Sequence, residues 1–129
     1  MPKKDISKML ATKAQLDLNA ASELLSKSDL QIVGYETIGF HLQQAVEKST
    51  KSLLERHDIP CSSGHDLKNL FKKVDERLSP IPPRFQPLLE LTPFATEFRY
   101  VTTVPEITFD CHAFLLLASD YMDWVATMM

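Results

Sequence analysis

The chain has 129 residues, 44% of them hydrophobic, which is enough for one domain with a sizeable core and too few residues for two. A net charge of -3 and a pI near 5.8 argue against a general nucleic-acid or membrane-surface binder. Three glycines and few β-branched runs favour helices over a sheet. Leu10, Ala14, Leu18, Ala21 and Leu25 recur at spacings of three and four and predict a first helix over 5–27, ended by Ser28-Asp29. Ile38, Leu42, Ala45 or Val46, Ser49 and Leu53 predict a second over 32–57, with Gly34 and Gly39 weakening its first turns. On it, Glu47 and Lys51 form an i, i+4 pair of the surface kind, worth about 0.3 kcal/mol.

Asp58-Ile59-Pro60 ends the second helix, because proline disfavours a helical residue before it. Ser63-Gly64-His65-Asp66 reads as a partial capping box with Ser63 at the N-cap. Leu67, Leu70, Phe71, Val74 and Leu78 line a third helix. Ser79-Pro80-Ile81-Pro82-Pro83 is a rigid connector rather than a domain linker. Leu88, Leu91, Ala95, Phe98 and Val101 carry a fourth stripe, with a kink or break expected at Pro93. A last helix is expected over 106–127, and its run Phe114-Leu115-Leu116-Leu117-Ala118 is apolar on most of its circumference. Such a helix is either central in the bundle or shared with a second copy. The reading is all-α: an up-and-down bundle of about five helices, in a single domain over 1–129.

Nothing near Met1 has the apolar stretch of a signal peptide, and Ala113–Ala118 is too short to span a bilayer, so a cytoplasmic protein with no membrane partner is expected. Cys61 and Cys111 form no disulfide framework and read as reduced thiols. With His65 and His112 they could be drawn as a zinc site. Adjacent Cys111 and His112 point about 100° apart on a helix, so no metal and no cofactor is expected.

Three pieces of the chain resemble the HEPN family of small helical domains. They are Gln44-Ala45-x-Glu47-Lys48-x-x-Lys51-x-Leu53-Leu54, then His65-Asp66-Leu67, then Leu91-Thr92-Pro93-Phe94-Ala95 leading to Arg99-Tyr100. The resemblance implies a helical bundle, frequently a homodimer, often the partner of a small nucleotidyltransferase in pairs of toxin–antitoxin type. Many members are metal-independent ribonucleases with an arginine followed, after four to six residues, by a histidine. Arg99 stands where that arginine is expected, but Val104, Pro105 and Glu106 occupy the places for the histidine. Arg56, Arg77 and Arg84 lack it too. The nuclease residues do not carry over, so no catalytic residue is assigned and a non-catalytic interaction or nucleotide-binding module is the expected role. The alternative is an RNA-cleaving enzyme with a rearranged site using Arg99 with His112 or His65.

Arg99 is the one fixed cation after Arg84, among Glu90, Glu97, Glu106, Asp110, Asp120 and Asp123. It is either an ion-pair partner tying two helices or an anion site for a nucleotide phosphate. In the second case Tyr100, Lys48, Lys51 and His65 complete the candidate set. Lys48, Lys51, Lys68, Lys72 and Lys73 alternate with acids and read as a solvated mixed-charge face.

Overall fold

The computed structural model describes residues 3–27, 32–61, 64–96 and 110–129. Five α-helices occur among them: α1 (Lys3–Ser26), α2 (Ile32–Arg56), α3 (Leu67–Arg77), α4 (Thr92–Thr96) and α5 (Cys111–Thr127). A 3-10 segment, Pro83–Leu91, runs straight into α4. No strand occurs among the described residues. The architecture is the expected all-α bundle, with α2 as its axis: every other helix and the 3-10 segment touch it.

The apolar stripes explain this arrangement. Ala14, Leu18, Ala21 and Leu25 of α1 and Ile38, Leu42, Ala45, Val46 and Leu53 of α2 are all buried, so the two long helices share one seam. Ser7 and Ser52 bring their backbones close. Ser7 Oγ donates to the Ser52 carbonyl at 2.8 Å, and Ser52 Oγ returns the bond to the Ser7 carbonyl at 2.7 Å. α3 lays Leu67, Leu70, Phe71 and Val74 on the core. α5 contributes Cys111, Ala118, Tyr121 and Val125. The Tyr121 ring stacks on Phe71 with centroids 5.2 Å apart and meets Phe85 edge-on at 5.3 Å. Its hydroxyl is 2.6 Å from Thr50 Oγ1, which itself donates to the Val46 carbonyl.

Several boundaries differ from the sequence reading, each for a local reason. α2 ends in a Schellman turn. Asp58 takes the left-handed conformation (φ 58°), Ile59 N–H reaches back to the Leu54 carbonyl at 2.9 Å, and Asp58 N–H reaches Glu55 at 3.1 Å. Ile59 and Leu54 are both buried in the core, as the turn's apolar positions require, so the stop is built before Pro60 acts. The N-cap of α3 is Asp66 rather than Ser63: its carboxylate accepts from Lys68 N–H at 3.0 Å. The fourth stripe is split, a 3-10 segment holding Phe85, Leu88 and Leu91 and a short α4 starting one residue before Pro93, where a proline is tolerated. Phe98 and Val101 lie outside the described residues. α5 begins at Cys111, later than expected, because Asp110 caps it by accepting from Ala113 N–H at 3.0 Å. The connector after α3 is pinned by Asp75, whose carboxylate accepts the Ile81 N–H at 2.6 Å.

Gly39 has a different meaning from the one expected. Rather than weakening α2, it lets the helix approach α4, because a Cβ there would overlap the Phe94 ring. α5 is not the central helix either. Phe114, Leu115 and Leu117 are half-buried, and Leu116 stands 67% exposed.

Candidate functional site

The polar residues of α2 gather on one side of the helix and are mostly hidden from water. Gln43, Glu47 and Lys51 lie four apart and therefore share one face, and Gln44 and Lys48 follow one step round. Gln43, Gln44 and Glu47 are all buried. A buried carboxylate needs partners, and Glu47 has three. Its Oε1 accepts from Gln43 Nε2 at 2.9 Å and from His65 Nδ1 at 2.8 Å, and its Oε2 lies 3.3 Å from Lys51 Nζ. A carboxylate can only accept, so the proton of the His65 pair sits on Nδ1. The same Gln43 amide also donates to the His65 backbone carbonyl at 3.2 Å, and its Oε1 accepts from Gln44 Nε2 at 2.6 Å. Glu47 thus fastens the segment before α3 to the middle of α2.

A second group sits between α1 and α2. Asp17 receives Lys48 Nζ at 2.7 Å on one oxygen and His41 Nδ1 at 2.9 Å on the other. Asp17 is the more buried partner, and Lys48 and His41 cover it from the solvent side.

The structure therefore brings Lys51 and His65 together on one acid and places Lys48 on another. All three expected anion contacts are engaged within the chain. The expected surface pair Glu47–Lys51 is a largely buried one, with side chains 5% and 15% exposed. The mixed-charge reading holds for Lys72, paired with Glu76 at 4.0 Å on an open face. Arg99 and Tyr100 lie outside the described residues. Gln43, Asp17 and His41 were not singled out from the sequence as site residues. The signal was present: Gln43-Gln44 and Glu47-Lys48 interrupt a helix whose other faces are apolar or small.

No group of acids, histidines and cysteines able to hold a metal occurs among the described residues. Both cysteines are free. Burial, with Asp110 beside it, pushes the Cys111 thiol up to about 11, and burial raises the Cys61 thiol as well. Both are weak nucleophiles at neutral pH. Burial likewise raises the Tyr121 phenol, against a smaller opposing effect of its bond to Thr50. A cleft of about 290 Å³ opens between α1, α2 and α5, floored by Ser49 and Ser52 and walled by Met122 and Met129. No described helix is long and apolar enough to cross a membrane.

No curated protein and no solved structure matches the chain. The HEPN domain family model matches residues 7–128, nearly the whole length and all three motif pieces. The glutamate, the histidine and the lysine that meet on α2 fall in two of those pieces, and with an all-helical fold around them the chain belongs to the HEPN family.

Proposed function

We propose that this chain is a non-catalytic HEPN domain that works by association, as a homodimeric interaction module. The observation that carries this reading is the closure of three of the five candidate ligand groups onto internal acids: Lys48 on Asp17, and Lys51 and His65 on Glu47. Groups held this way fasten α1, α2 and the segment before α3 to one another. A phosphate entering there would have to displace a largely buried carboxylate from its partners, which costs several kcal/mol (~3). The absence of an arginine–histidine pair at ribonuclease spacing supports the same reading. A small nucleotidyltransferase, implied by the family resemblance, is the partner to test beside a second copy.

Two measurements on the purified chain test the proposal together. Single-stranded RNA should survive incubation with it, and titration with ATP should give no heat that an Arg99→Ala variant lacks. RNA cleavage or ATP binding lost in Arg99→Ala would replace this reading with an enzymatic or nucleotide-binding one. Sedimentation should give twice the chain mass.

A further inference from the structure

Four large apolar side chains stand exposed among the described residues: Met9, Leu16, Leu116 and Met129. Three of them form two patches of opposite charge. On α1, Met9 and Leu16 are seven residues apart on the face opposite the buried Ala14 and Leu18, with exposed Lys8 and Lys13 beside them. On α5, Leu116 is followed on the same face by exposed Asp120 and Asp123, opposite the buried Ala118 and Tyr121. Among the described residues Asp120 pairs with Arg84 at 3.8 Å, with both side chains more than half exposed, a contact worth little.

We propose that the α1 patch of one copy seats on the α5 patch of a second copy, with the two helices antiparallel. The inference rests on the dimeric reading above and names its surface. Register decides the orientation. With Leu16 set against Leu116 and the helices antiparallel, Lys13 and Lys8 lie about 4.5 and 12 Å along α1 from that contact. Asp120 and Asp123 lie about 6 and 10.5 Å along α5 in the matching direction. Lys13 and Lys8 then lie within about 1.5 Å in register of Asp120 and Asp123, Met9 stands level with Asp123, and Asp5 faces uncharged Thr127. In the parallel arrangement the same apolar contact sets Asp123 against Glu23, leaves Lys13 without an acid and puts Lys8 about 3 Å out of register with Asp110. Charge complementarity therefore selects one orientation of two. Each copy carries both patches, so α1 can seat on its partner's α5 while α5 receives its partner's α1. Two equivalent contacts close a two-fold dimer.

The test is a charge swap read by sedimentation velocity at about 50 µM chain, with circular dichroism to confirm that each variant is folded. Lys8→Glu with Lys13→Glu makes both patches acidic. Asp120→Lys with Asp123→Lys makes both basic. Wild type is expected as a dimer, and each double variant alone should associate at least tenfold more weakly. An equimolar mixture of the two should recover the dimer, because every acidic patch then meets a basic one on the other variant. If wild type and both variants are dimers of equal strength, this surface is wrong while the dimeric reading stands. If the variants separate but their mixture does not recover, the pairing of α1 with α5 is wrong. A wild-type monomer at this concentration overturns both.

Discussion

α2 hides Gln43, Gln44 and Glu47 from water, while α5 leaves Leu116 in it. The two helices treat side chains in opposite ways because of where they stand. α2 is the axis of the bundle and has neighbours on nearly every side, so its polar residues must be buried with partners. α5 is a peripheral helix whose first half, Phe114 to Ala118, is apolar on most of its circumference, so Leu116 stays uncovered by the described residues while Asp120 and Asp123 share its outer face. Composition of a helix, taken alone, therefore misplaces both: the more polar helix is the more buried one.

Removing the polar centre of α2 is the strongest way to break this contrast. Glu47→Ala would leave the Gln43 amide with only the His65 carbonyl as acceptor, and Lys51 and His65 without their acid. We expect a loss of about 3 kcal/mol in urea unfolding, and a loss under 0.5 kcal/mol would mean that water substitutes for the carboxylate. Gly39→Ala tests the close approach of α4 to α2. The methyl would displace the Phe94 ring, at a cost of about 2 kcal/mol, whereas ordinary helix propensity predicts a gain of about 1 kcal/mol. The sign of the shift in thermal midpoint decides between them. Tyr121→Phe keeps the stack on Phe71 and removes only the bond to Thr50, so about 1 kcal/mol should go. Leu116→Gln should change stability least, by less than about 0.5 kcal/mol, when measured below the concentration at which copies associate. A larger loss there would show that α5 is covered within the single chain.

Spacing rules were enough for the helices, because apolar stripes of period 3.6 are a property of the chain itself. Ala14, Leu18, Ala21, Leu42, Leu53, Leu70 and Val74 could all be assigned to the core from spacing, and all are buried. Exact ends were less readable, since they depend on which of several cap-forming residues wins. Asp66 and Asp110 reach a backbone N–H, whereas Ser63 fits the capping pattern only in sequence. The site was only partly legible. The sequence points to Lys51 and His65, but in spacing alone their common partner is a surface charge. Two charges four apart on a helix look the same in sequence whether water or another element covers them. What covers Glu47 is the segment carrying His65, a contact between residues 18 apart that no local rule contains.

The bond between Tyr121 and Thr50 also bears on the order in which the chain assembles. It joins residues 71 apart, whereas the contact of His65 with Glu47 closes a loop of 18. Loop closure costs more entropy as the loop lengthens, so α2 and the segment leading to α3 can meet while α5 is still searching. A late-docking α5 predicts that Tyr121→Phe would accelerate unfolding and leave the folding rate nearly unchanged, whereas Glu47→Ala would slow folding itself. Stopped-flow refolding of the two variants separates these outcomes. An equal slowing of folding in both would mean that α5 is already in place when the bundle commits.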